Sequence, residues 1–103
     1  MHPTVEAKLP EIRALCRKYR VRRLELFGSA ARDDFDPVRS DVDLLVEWDA
    51  SEPASSLPDR WWGLERELEE LLGRPVDLVT LRSIRNAQLR ALIERQPRDV
   101  LGP

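Results

Sequence analysis

Eight residues near the middle of the chain, DVDLLVEW at positions 41–48, limit the fold more than any other stretch. Side chains alternate between the two faces of a strand. Val42, Leu44 and Val46 therefore point one way, and Asp41, Asp43 and Leu45 the other. The segment PVDLVTL, residues 75–81, has the same character, with Asp77 near its start. Strands that are apolar on both faces need cover on both, which implies helices packed over most of a sheet.

The rest of the chain supplies that cover. Leu9, Ile12, Leu15, Cys16 and Tyr19 recur at helical spacing and predict a first helix ending near Tyr19. Pro10 belongs in its first turns, or else kinks it. RRLELFG alternates Leu24 and Leu26 against Glu25 and predicts a strand ending at Gly28. Residues 29–34 suit a short helix opened by Ser29, and DDFDPVRS is a loop punctuated by Pro37. After the breaker-rich DASEPASSLPD, a helix from Asp59 carries Trp61, Leu64, Leu68, Leu71 and Leu72 on one stripe. Gly73 closes it and Pro75 prevents its resumption. Ser83 is expected to cap a last helix bearing Ile84, Ala87, Ala91 and Leu92, and residues 96–103 to form a flexible tail. The order α-β-α-β-α-β-α predicts an α/β (α+β) fold, a small mixed sheet flanked by helices, as a single domain over 1–103.

Several classes of chemistry are excluded by what the chain lacks. Its single cysteine, Cys16, lies on the apolar face of the first helix; it allows no internal disulfide or Cys-based zinc site and reads as core filler. His2 is the only histidine and sits at a terminus expected to fray, so histidine triads and HExxH zinc chemistry are excluded. A net charge of −2 argues against a dedicated nucleic-acid binder. No apolar run approaches the length of a membrane span, and the start MHPTVEAKLPE lacks the features of a signal peptide, so a cytoplasmic location is expected. Of the three tryptophans, Trp61 fits the core stripe, whereas Trp48 and Trp62 are candidate anchors for a partner.

The acidic residues carry the chemical signal. Asp41 and Asp43 share a face, and Asp77 joins them if its strand pairs beside theirs. Three carboxylates within ~5 Å repel by roughly 3 kcal/mol per pair at an effective dielectric of 20. A structural role is unattractive for such a group, while hard divalent cations relieve the repulsion; all-oxygen ligands favour Mg2+ or Mn2+ over zinc. Two such ions can activate an attacking oxygen and stabilise a leaving one in phosphoryl-type transfer. Gly28 permits close backbone approach, the helix start after it offers free N–H groups to an anion, and Ser29 and Arg32 add a hydroxyl and a cation. A metal-bound triphosphate suits the space between turn and carboxylates.

The motifs GSAAR, SDVDLLVE and RPVDLVT, with RWWGLERELEELLG before the last of them, closely resemble the minimal nucleotidyltransferase (MNT) family of the DNA polymerase β superfamily. The resemblance spans nearly the whole chain. It implies the DNA polymerase β-like nucleotidyltransferase fold, with Asp41, Asp43 and Asp77 as metal-binding and catalytic residues. It also implies that Gly28, Ser29, Arg32 and Ser40 hold the nucleotide. Members of the family are commonly antitoxins that transfer AMP from ATP to a tyrosine hydroxyl of a HEPN-domain ribonuclease toxin. The resemblance thus implies ATP as substrate, two Mg2+ ions (or Mn2+), and a HEPN toxin in a hetero-oligomer. The alternative is an antitoxin that occludes its toxin through a vestigial site. Two departures stand out: Asp33 where the family usually has Gly, and Arg20 where many relatives have Gly at the end of the first helix. If Arg20 takes the left-handed conformation there, it costs on the order of 1 kcal/mol.

Overall fold

The computed structural model describes residues 2–28, 41–95 and 98–102. The expected short helix at 29–34, the loop that follows it, and Ser29, Arg32, Asp33 and Ser40 lie outside these residues. The described elements are α1 (Pro3–Glu6), α2 (Leu9–Lys18), β1 (Val21–Phe27), β2 (Val42–Trp48), α3 (Leu57–Leu72), β3 (Val76–Val79), α4 (Ala87–Arg95) and β4 (Asp99–Gly102). Short 3-10 turns precede α3 and follow β3.

Periodicity explains the main elements. Ile12 and Cys16 fall on the buried face of α2, and Leu64, Leu68 and Leu72 on that of α3. Pro10 sits in the first turn of α2, where its missing N–H costs nothing. Gly73 ends α3 at φ 70° and donates its N–H to the Glu69 carbonyl at 2.8 Å. Arg20 turns the chain from α2 into β1 at φ 59°, so it does take the left-handed conformation that glycine adopts more readily.

The four strands lie in the order β3-β2-β1-β4. β2 pairs with β1 antiparallel and with β3 in parallel, and β4 pairs antiparallel with β1. The parallel pair needs a crossover, and α3 provides it. The first face of the sheet presents Leu24, Leu26, Val42, Leu44, Val46, Val76, Leu78 and Leu101 to α1, α2 and α3 in the principal core. On the opposite face Phe27 and Leu45 pack with Ile84 and Ile93. Each fully buried leucine or isoleucine contributes roughly 1.5–3 kcal/mol.

Three expectations are corrected. The tail predicted at 96–103 is, over Asp99–Gly102, an edge strand with Leu101 buried; its four residues are too short for a strand pattern to show in the sequence. The last helix is capped by Asn86, not Ser83. The Asn86 side chain accepts from the N–H groups of Gln88 and Leu89, while Ser83 is bound to Thr80 in a reciprocal capping box. The α4 residue that buries is consequently Ile93, and Leu92 is exposed. The N-terminus is also docked, since His2 Nδ1 caps α1 by accepting from the Thr4 N–H and Val5 is fully buried.

Candidate active site

Gly28, one residue past β1, stands beside Asp43 on β2 and Asp77 on β3 at one end of the sheet. Phe27 is the register partner of Asp43, and Asp43 is that of Asp77. Partners in a parallel pair face the same way, so Asp43 and Asp77 project side by side from the face opposite the principal core. Asp41 stands one residue before β2 and is exposed; Asp43 is half-buried and Asp77 exposed. Local anchors fix this register. The Val42 N–H donates to the Pro75 carbonyl at 3.0 Å, and the Val76 N–H donates to Glu69 Oε2 at 3.1 Å. The end of α3 and the starts of β2 and β3 are thereby tied together directly beneath the carboxylates.

Gly28 has a more specific role than the sequence suggests. Its φ of 73° is a conformation that L side chains rarely adopt. A Cβ there would lie 2.3 Å from Asp43 Oδ2 and 3.2 Å from its carboxyl carbon. The glycine thus serves the carboxylate as well as the turn: it lets Asp43 lie against bare backbone, and a side chain there would push that carboxylate aside.

One acidic neighbour escaped the sequence. Glu65 on α3 has its carboxyl held above the usual range by burial, then by the charges of Glu69 and Asp77, while a hydrogen bond from Trp61 acts in the opposite direction. Nothing in the run ERELEELL distinguishes Glu65 from the other glutamates, because only the packing of α3 beside β3 selects it.

Carboxylate oxygens are hard donors that fit a divalent cation of the magnesium type. The Asp43–Asp77 pair supplies two of the three expected groups in register, with Asp41 adjacent. Among the described residues, no three His, Cys, Asp or Glu side chains gather closely enough to hold a metal ion. No described helix is long and apolar enough to cross a membrane.

Comparison with known proteins identifies the family and the fold. A family model described as "Nucleotidyltransferase domain" matches residues 12–99. Two proteins of Methanocaldococcus jannaschii, each named "Putative protein adenylyltransferase", are 39% and 40% identical over 77 residues. In both cases the match covers 75% of this chain and 74% of the relative. A solved structure of a "putative minimal nucleotidyltransferase" superposes with a TM-score of 0.73 at 31% identity, covering 93% of each chain. An MNT antitoxin structure, in complex with tri-AMPylated Shewanella oneidensis HEPN toxin, shares the fold with a TM-score of 0.61 at 24% identity. That match covers 94% of this chain and 71% of the other.

Proposed function

Since the chain belongs to the nucleotidyltransferase domain family, we propose that it transfers AMP from ATP to a tyrosine hydroxyl of a HEPN-type toxin and so silences it. The observation that carries this reading is the in-register Asp43–Asp77 pair, packed against the side-chain-free backbone of Gly28. In the reaction the acceptor oxygen bonds to the α-phosphorus of ATP, the bond from that phosphorus to the bridging oxygen breaks, and pyrophosphate leaves. The acceptor proton passes to a carboxylate oxygen of the Asp43–Asp77 pair.

Asp41, Asp43 and Asp77 would hold the divalent cation, which when bound polarises the phosphate oxygens and offsets the charge that builds on them. The protein's own contribution is position. The start of β2 fixes Asp41 and Asp43, the parallel register fixes Asp77, and Gly28 lets phosphate and carboxylate share a tight space. Ser29, Arg32 and Ser40 complete the nucleotide cradle in this reading. Alignment of reactants is a large source of rate in phosphoryl-type transfers, because little covalent chemistry falls to the protein.

A second reading, occlusion of the toxin by a vestigial site, draws on the absence of a closed three-carboxylate cluster among the described residues. One experiment separates the two. The chain is incubated with a HEPN toxin, ATP and MgCl2, and the toxin's intact mass is measured. A gain of one or more AMP groups, lost in Asp43→Asn, is the expected result. An unmodified toxin in a tight complex would leave only occlusion.

A further inference from the structure

An apolar groove of about 380 Å³ runs along one flank of α3, lined by Leu57, Pro58, Trp61, Trp62 and Glu65. Trp62 is 75% exposed, the most exposed large apolar side chain among the described residues. Trp61 and Trp48 do not share that exposure. Their rings lie 5.9 Å apart, with the Arg60 guanidinium 5.3 Å from the Trp48 ring, so of the two candidate anchors Trp48 belongs to a packed cluster and Trp62 does not. An exposed tryptophan beside an apolar groove is the usual form of a binding hot spot.

The position of the groove says what it binds, given the proposed transfer reaction on which this inference rests. Across the sheet the order is Gly28 just after β1, Asp43 on β2 and Asp77 on β3. With the triphosphate on the Gly28 side, in-line displacement requires the acceptor hydroxyl to arrive from the far side, over Asp77 and the β3 edge. Helix α3 flanks that edge. Glu65, at the end of the groove, is close enough to feel the charge of Asp77, and Glu69, one turn on, binds the first N–H of β3. The route from groove to carboxylates is therefore acidic, and it complements a cationic segment.

We infer that the Trp62 groove docks the acceptor protein through an extended segment carrying an apolar side chain flanked by Lys or Arg, close in sequence to the modified tyrosine. The spacing follows from the geometry. At 1.5 Å rise per residue, Trp62 lies roughly 10 Å along α3 from Glu69. An extended chain covers about 3.3 Å per residue, so this distance alone, short of the carboxylates on the other face of β3, needs at least about three residues between anchor and acceptor.

The test uses fluorescein-labelled peptides containing a tyrosine, with a leucine flanked by lysines at spacings of one to eight residues. Anisotropy reads binding, and AMP incorporation with ATP and MgCl2 reads transfer. Anchored peptides with a spacing of three or more should bind best, and Trp62→Ala should weaken them at least tenfold while Mg2+–ATP binding stays unchanged. Replacing the peptide lysines by glutamate should abolish binding. Trp62-dependent binding without AMP transfer would sustain the groove and remove the transfer reading. AMP transfer that ignores the leucine or survives Trp62→Ala would do the reverse. Two results would assign the groove elsewhere and overturn the inference: loss of ATP affinity in Trp62→Ala, which gives it to the adenine base, and Trp62-dependent self-association of the chain.

Discussion

Alanine at Gly28 and alanine at Gly73 should cost the fold similar amounts and the reaction very different ones. Both glycines have left-handed backbones, at φ 73° and φ 70°. A Cβ in that conformation costs roughly 1–2 kcal/mol, and in a domain of this size each kcal/mol lowers Tm by about 4–8 °C. At Gly73 nothing lies within 4 Å of the added carbon, so the backbone cost is the whole effect. At Gly28 the carbon falls 2.3 Å from Asp43 Oδ2, whereas ordinary contacts begin at 3.4 Å. The carboxylate can swing aside with little further loss of stability, but it must move by about 1 Å, and a displacement of that size at a reacting centre costs on the order of 100-fold in rate. That factor corresponds to about 2.7 kcal/mol of transition-state stabilisation. Thermal melts of the two variants should therefore nearly coincide. AMP transfer measured by intact mass should fall about 100-fold in Gly28→Ala and stay near wild type in Gly73→Ala. The rise in Tm on adding Mg2+ and ATP should shrink in Gly28→Ala alone. Transfer within threefold of wild type in Gly28→Ala, with its backbone cost visible in the melt, would refute the placement of Asp43 at the reacting centre.

Asp77→Asn should abolish transfer yet raise the metal-free Tm by about 1–8 °C, because like charges directly across a strand pair oppose folding by a few tenths to 1 kcal/mol; a lower Tm would mean the ionised carboxylate is structurally satisfied. Mg2+ with ATP should stabilise the wild type far more than this variant, through preferential binding to the folded state. Leu101→Ala should cost roughly 2–5 kcal/mol in a denaturant titration, the price of a cavity in the core, whereas a free tail would give no change. Glu65 has its carboxyl raised by burial and by Glu69 and Asp77, so ionising it penalises the folded state. The stability associated with its neutral form is present at low pH and is lost as pH rises through the folded-state value. Glu65→Gln should accordingly raise Tm at pH 8 and match wild type near pH 4, and an equal gain at both would exclude this ionisation as the cause.

Much of the architecture is legible because it is written in short-range patterns. The period of α2 and α3 places Ile12, Cys16, Leu64 and Leu68 in the core, and Gly73 with Pro75 marks where α3 stops. The doubly apolar strands β2 and β3 imply a sheet covered on both faces, and the two clusters on either side of Leu44 and Leu45 bear this out. What was misread is either short or dependent on distant partners. β4 is four residues long and exists because Leu101 reaches the core and Arg13 Nε binds its carbonyl at 3.1 Å, across 88 positions of sequence. Ser83 and Asn86 are both good caps; the 3-10 turn claimed the first and left the second for α4.

The amino-acid sequence by itself determined the strand that carries Asp43 with Asp41 just before it, the glycine ahead of them, and the resemblance from which a grouping with Asp77 was expected. These features are local, and a two-residue period places two carboxylates without reference to anything distant. Only the tertiary structure decided that β3 lies parallel beside β2 with Asp77 opposite Asp43, that Gly28 abuts the Asp43 carboxylate, and that Trp62 is left bare while Trp48 and Trp61 pack together. Register and burial arise from contacts between residues far apart in the chain, and those contacts form only when the crossover helix α3 closes against the sheet.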